Sequence, residues 1–274
     1  MNRSKIIVHC LVKNEENFVW YAINSVLPFV DKVMVWDTGS EDNTVKVVKS
    51  IMSPKIEFKE VGHVNSESFT EVRKQMLDLT EKKYDWLMIL DGDEIWPRSS
   101  LKEVVAYIQQ NSDAQAIFVR TNNAIGDIYH RQMESAGHYN IKGRIGHYAL
   151  RFINLRSTPN LTVSLPHGQE GFFSNGTLIQ NLPHVDFVDV SYLHTTHLPR
   201  SSQDKKTIKR AQKLKYELGA KIPTQELPEI IFETHPNLVP DITNKMSPWI
   251  FFLAALQTFP KVVKRTIKKP QEGY

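Results

Sequence analysis

The stretch LMILDGDEIWP, Leu87 to Pro97, packs three carboxylates into four positions: Asp91, Asp93 and Glu94, with Gly92 between the first two. They follow directly on a run of apolar residues. Like charges this close repel, and burying them unpaired is costly, so a positive partner is expected beside them. Two carboxylates at the tip of a buried strand suit a hard divalent cation, Mn2+ or Mg2+, which takes oxygen ligands and often shares substrate phosphates. Asp-x-Asp also occurs in solvated loops, so its position in the fold decides between the two readings. Two further polar loops invite the same question: KNEE (Lys13 to Glu16) and DTGSED (Asp37 to Asp42).

The elements that must position these loops follow from the apolar pattern. Ile6 to Val12 is an apolar run of strand length, and Phe18 to Val30 shows helical spacing. Lys32 to Trp36 repeats the apolar run, and Val45 to Met52 reads as a helix capped by Asp42 or Asn43. Ile56 to Val61 is a third strand, Ser68 to Lys82 an amphipathic helix, and Trp86 to Leu90 a buried strand. A helix over Leu101 to Gln110 and a strand at Ala116 to Arg120 complete the regular half. Alternating strands and helices imply an α/β fold, a Rossmann-like, mostly parallel sheet flanked by helices, whose ligands gather at the carboxyl ends of the strands. The three polar loops each follow a strand, so they should converge on one edge.

From Asn122 to Pro183 the pattern loosens into a less regular half with His- and Gly-containing loops. Short strands are expected at Tyr148 to Asn154 and Val185 to His194. The segment from Ser201 to Gly219 reads as a helix with a capping-box-like start at Ser201 and Asp204. This divides the chain into a domain over 1–200, with a regular half at 1–120 and a less regular half at 121–200, and a helical extension with a basic tail over 201–274.

LVKNEE (Leu11 to Glu16), DTGSEDNT (Asp37 to Thr44), FTEVRKQML (Phe69 to Leu77) and LDGDE (Leu90 to Glu94) together resemble the family 2 glycosyltransferases of GT-A fold, in the order and rough spacing of that family. The likeness is closest to the bacterial branch that acts on lipopolysaccharide cores and other surface glycans. The resemblance implies a nucleotide-sugar donor, with a uridine diphosphate sugar favoured, a glycan or lipid-linked glycan acceptor, and a division of the domain into a nucleotide-binding half at 1–120 and an acceptor and catalytic half at 121–200. It implies that Val12, Glu15, Asp37, Arg73, Asp91 and Gly92 border the nucleotide and that Asp93 binds the Mn2+ or Mg2+ that bridges the diphosphate. One departure is Lys74, where this branch commonly carries Asn. Read without the resemblance, Asp37 and Asp42 are turn and cap residues and Arg73 is a solvated helix position.

An inverting sugar transfer also needs a base for the acceptor hydroxyl. Glu170, in LPHGQEGFF, is the candidate, with Asp186 and Asp189 as alternatives. In SYLHTTHLPRSS, His194 and His197 stand at a strand end where an imidazole can complete a metal shell, and the resemblance favours His197, followed by Arg200. His130, His138 and His147 fall in the loops expected to shape the acceptor pocket, and no spacing among them makes a zinc site. Two other readings compete. A haloacid-dehalogenase-like phosphatase would use Asp91 as nucleophile and Asp93 as acid, but it leaves DTGSED without a role. A non-catalytic nucleotide- or sugar-binding module would bind without turnover.

Residues 1–260 carry 29 basic and 29 acidic residues, so the net charge of +4 resides in the tail, where Lys261, Lys264, Arg265, Lys268 and Lys269 face only Glu272. A neutral body argues against a nucleic-acid-binding surface. The apolar run Trp249 to Phe259 is too short to span a bilayer, and with the basic tail it suits peripheral membrane contact through 248–269. A lone cysteine, Cys10, and an opening with too short an apolar stretch for a signal peptide lead to the expectation of a cytoplasmic protein, at most peripheral on the inner face of the plasma membrane.

Overall fold

The computed structural model describes residues 3–137, 139–165, 171–204, 213–215, 217–267 and 271–272. Its first half alternates strand and helix: β1 (Ile6–Val12), α1 (Val19–Val26), β2 (Lys32–Asp37), α2 (Thr44–Lys49), β3 (Ile56–Glu60), α3 (Ser66–Asp78) and β4 (Trp86–Asp91). A short β5 (Glu94–Ile95) and α4 (Arg98–Gln110) follow. β1, β2 and β4 read as nearly unbroken apolar runs because both faces of the sheet are covered there, whereas β3, at the edge, alternates as IEFKE. Ile6, Val8, Cys10 and Val12 face a core shared with α1, α2 and α4, whereas Ile7 and Leu11 meet Val72 and Met76 of α3 on the other side. The α/β expectation holds, with β3, β2, β1 and β4 lying parallel in that order.

The register aligns the strand tips. Val12 lies opposite Asp37, and Leu11 opposite Asp91, so the loops after β1, β2 and β4 emerge along one carboxyl edge.

The second half extends this sheet with mixed pairing. Its strands are β6 (Ala116–Ile125), β7 (Asp127–Arg131), β8 (Tyr139–Ile141), β9 (Arg144–Gly146), β10 (Tyr148–Asn154), β11 (Thr162–Ser164), β12 (Gly171–Ser174), β13 (Thr177–Leu178) and β14 (Val185–His194). β10 runs antiparallel between β4 and β6, and its register against β6 shifts between Leu150 and Phe152, which leaves Arg151 as an unpaired bulge residue. A bulge re-aims a side chain. β14 pairs parallel with β6 and antiparallel with β5, setting His194 opposite Glu94. Stacking of Trp96 on Tyr192, ring centroids 4.7 Å apart, secures that junction. β11, β12 and β13 form a separate small sheet beside α3.

Residues 205–212 and 216 of the helix expected over 201–219 lie outside the described residues, as do Glu170 and His138. Later elements are β15 (Ala220–Lys221), which joins β7, the long helix α5 (Pro248–Ile267), and β16 (Gln271–Glu272) beside β8.

Candidate functional site

The loops after β1 and β2 are laced together by hydrogen bonds. The Asn14 amide donates to Ser40 Oγ at 2.8 Å, the Glu15 amide to Thr44 Oγ1 at 2.7 Å, and the Glu41 amide to Asn14 Oδ1 at 2.8 Å. Asp42 accepts from the Thr44 amide at 2.8 Å and so supplies the start of α2, while Asn43 makes no side-chain cap bond. Glu16 accepts from the Asn43 and Ser202 amides; burial alone would raise its carboxyl, and these bonds outweigh burial and hold it below the usual range.

Asp37 is 3% exposed. Its Oδ2 accepts from the Gly39 and Ser40 amides at 3.0 and 2.9 Å, closing an Asx turn. Its Oδ1 is equally buried and has no hydrogen-bond partner. A buried acceptor left open is costly unless a ligand donates to it.

The three carboxylates of the DGDE loop find their positive partners in the chain itself. Arg151, turned inward by its bulge, contacts Asp91 Oδ2 at 3.3 Å and closes on Glu94. Arg73 of α3 approaches Asp91 Oδ1 at 3.6 Å. Arg200 reaches Asp93 Oδ2 at 3.3 Å and closes on Glu15. Glu94 is fully buried; burial lifts its carboxyl to about 6, against the pull of Arg151 and with the push of Asp91. Gly92 permits the contact between loops, because a Cβ there would lie 2.8 Å from Glu15 Cγ and 3.2 Å from Val12 Cγ1. Arg73, Arg151 and Arg200 therefore give these carboxylates positive partners from within the chain.

Asp93 and His194 are the described residues whose geometry could hold a cation. Among the described residues, no group of three or more His, Cys, Asp or Glu side chains converges on a metal position. Asp93 Oδ1 and His194 Nε2 lie 3.5 Å apart, however, and His194 Nδ1 is tied to Asn123 Oδ1 at 3.0 Å, which aims Nε2 at Asp93. One carboxylate and one imidazole would fit a divalent ion that takes its remaining ligands from outside the chain. Burial pulls the His194 imidazole down, but Asp93, then Glu94 and Asp91, outweigh it, so its pKa stands above the usual value.

His197, the histidine favoured from sequence, hydrogen-bonds the Lys213 carbonyl through Nδ1 at 2.9 Å, and burial lowers it to about 3. Of the alternative bases, Asp189 pairs with Arg120 at 2.8 Å with its side chain 80% exposed, and Asp186 lies on β14 opposite Ile117, toward the far end of the sheet. His130 is bound to Asp127 at 2.7 Å, and His147 to Asn123 and the Met133 carbonyl.

Two cavities flank this cluster. One of about 350 Å3 is lined by Arg73, Asp91, Phe118, Leu165, Gly171 and Phe172 and is mostly apolar. The other, about 380 Å3, is bounded by Asn123, Gln132, His147, Tyr192, His194 and His197. Arg151 and Tyr139 line both. Sequence reasoning did not single out Arg151 or Asn123; the available signal was an arginine inside the apolar run YALRFIN, a position where a charge must be paired.

Residues 8–167, more than half of the chain, match the family model described as "Glycosyl transferase family 2". An uncharacterized glycosyltransferase of Rickettsia bellii is 33% identical over 111 residues, 40% of this chain and 35% of that protein. One from Rickettsia typhi is 33% identical over 104 residues, 38% of this chain and 32% of that protein. The matched stretch thus spans about a third of these curated relatives. Among solved structures, S. aureus TarS 1-349 in complex with UDP is similar at 15% identity, with 70% of this chain and 60% of that chain covered and a TM-score of 0.49. Glucosyl-3-phosphoglycerate synthase from Mycobacterium tuberculosis, in complex with Mn2+, UDP and phosphoglyceric acid, is similar at 16% identity, with 70% of each chain covered and a TM-score of 0.47.

Proposed function

Because this chain belongs to glycosyl transferase family 2, we propose that it is a metal-dependent, inverting glycosyltransferase that moves a sugar from a nucleotide donor, a uridine diphosphate sugar, to a hydroxyl of a glycan or lipid-linked glycan. The observation that carries this reading is the meeting of Asp37, Asp91 and Asp93 along one sheet edge, with the buried Asp37 Oδ1 still open to a donor. A uracil or ribose donor group satisfies that oxygen. Val12, Glu15 and Gly92, which lie against one another at the strand tips, border the nucleotide in this reading, and Asp91, held by Arg73 and Arg151, faces the ribose.

Asp93 and His194 hold the cation, Mn2+ being better matched than Mg2+ to a site with an imidazole ligand. When bound, that ion neutralises charge growing on the departing diphosphate. Arg200, already at Asp93, adds a second positive charge on the same side. Glu170 takes the proton of the acceptor hydroxyl as that oxygen attacks the anomeric carbon in a single displacement. Leu165 and Gly171, the described residues on either side of its segment, both line the cavity that contains Asp91, which supports this role. The acceptor belongs to the cell-envelope glycans, and the protein works at the cytoplasmic face of the membrane, in contact with it through 248–269. The phosphatase reading lacks a comparable fit, since Asp91 is held between two arginines.

The test is thermal stabilisation of the protein by a panel of nucleoside diphosphates and nucleotide sugars, each with and without Mn2+. One diphosphate should raise the melting temperature in a metal-dependent way, and donor consumption should vanish in Glu170→Gln while this stabilisation persists. Absence of stabilisation by every nucleotide would refute the reading. Turnover that survives Glu170→Gln would remove Glu170 from its role.

A further inference from the structure

The chain that leads into α5 is strapped to the body. Tyr21 Oη donates to the Pro240 carbonyl and Tyr129 Oη to the Thr243 carbonyl, both at 2.9 Å, and the Met246 amide donates to Asp127 Oδ2 at 2.9 Å. α5 then docks through one narrow face. Ala254 is fully buried, and Thr258 Oγ1 accepts from the Leu218 amide at 2.7 Å.

Its other face is apolar and open. Trp249, Phe252, Leu256, Phe259 and Val263 are 67%, 53%, 61%, 76% and 45% exposed. Their spacing of three, four, three and four residues places them in one stripe along the helix. A continuous exposed stripe of this kind marks a contact surface rather than scattered surface residues. The same segment holds Lys261, Lys264, Arg265, Lys268 and Lys269 against one acid, Glu272. Aromatic residues on one face with excess lysine and arginine are the chemistry of a helix that lies in a membrane interface and meets anionic headgroups. Among the described residues no helix is long and apolar enough to cross a membrane, so α5 would lie on a bilayer rather than span it.

The helix and the strand after it both touch elements that line the polar cavity bounded by His147 and His194. α5 packs on the turn Glu134–Ala136, and Ala136 lines that cavity. Past the helix, β16 pairs with β8, setting Gln271 opposite Tyr139, which lines both cavities.

We propose that α5 is an interfacial docking helix for an anionic lipid surface, and that it holds the polar cavity beside the bilayer so that the acceptor is taken from the membrane plane. The acceptor part rests on the glycosyl-transfer reading. The docking does not, and it is tested without any nucleotide.

The experiment is co-sedimentation of the full chain with vesicles of phosphatidylcholine alone or in equal mixture with phosphatidylglycerol, at low and high salt. Tryptophan emission is followed in parallel. Trp20, Trp36, Trp86 and Trp96 are at most 8% exposed, so a blue shift on vesicle addition reports on Trp249. The expected result is binding to the mixed vesicles with a blue shift, several-fold weaker on phosphatidylcholine alone and at high salt. The double variant Phe252→Ser, Phe259→Ser, both residues being outside the core, should keep the wild-type melting temperature and bind roughly tenfold less. Failure to sediment with either vesicle overturns the proposal, as does equal binding by wild type and variant. A wild-type protein that ignores vesicles and is dimeric, with a monomeric double variant, assigns the stripe to a second copy and overturns it equally.

Discussion

At the level of single residues, the site is an exercise in neutralising acids. Arg151 serves two of them, and Glu94 shows how narrow the balance is. Its folded pKa of about 6 lies above the unfolded value of 4.5, so the folded state binds the extra proton between those limits. Its contribution favours folding below pH 4.5 and is lost as pH rises through 6, a cost of about 2 kcal/mol at neutral pH. Arg151→Met removes the counter-charge and pushes Glu94 further up. The variant should therefore lose stability more steeply than wild type between pH 6 and 8, as read by urea denaturation across that range, and adding Glu94→Gln should flatten the slope. An unchanged slope would mean that Arg151 does not carry Glu94. Asp93 poses the complementary test at the ligand. Asp93→Asn keeps the size and loses the charge, so nucleotide stabilisation in Mn2+ should fall to its metal-free level in calorimetry, while metal-free binding stays within about twofold.

At the level of elements, loops joined by close backbone approach set the geometry. Gly39 has φ +90°, and a Cβ there would meet His63 Cα at 2.9 Å, a backbone atom with little room to yield. Gly39→Ala should cost about 1–3 kcal/mol, displacing the turn that orients Asp37. A melting temperature lowered by several degrees, together with weakened nucleotide binding, is the expected outcome. Unchanged values for both would show that the loop relaxes freely. The regular elements were legible in the sequence because each is a local pattern: Ile6 to Val12, Tyr148 to Asn154 and Val185 to His194 are strands with those bounds, the first an apolar run buried on both faces, the other two apolar stretches interrupted by a few polar residues. β6 runs on to Ile125, well past the expected Arg120, because Thr121 to Asn123 are polar yet still paired with Tyr192 to His194 of β14. That pairing spans some seventy residues of chain, and local spacing carries no trace of it.

At the level of the whole molecule, His9 reports on global stability. It lies within β1, 3% exposed, with Nε2 bonded to Thr80 Oγ1 at 2.8 Å. Burial first, and Arg73 second, lower its pKa to about 3. Below pH 6.5 the unfolded chain takes up a proton that the folded chain refuses, so stability falls with acidification by about 1.4 kcal/mol per pH unit until pH 3. His9→Gln should remove this slope. Denaturant unfolding of both proteins between pH 6.5 and 4.5 checks it, and parallel curves would show that His9 titrates normally.

The parallel strands, the three polar loops at their tips and, through four short motifs, the family could be read from the chain alone, because these depend on neighbours a few residues apart. What meets the carboxylates could not, because it is set by packing between distant segments. Arg151 arrives through a bulge in β10, His194 through the pairing of β14 with β5, and Arg200 from the loop beyond it. Their separations of 57 to 107 residues along the chain are closed by the sheet, where the free energy of burying a charge, rather than spacing, selects the partner. The same holds for α5, whose apolar residues were visible from the start but whose uncovered face exists only because the rest of the fold leaves it open.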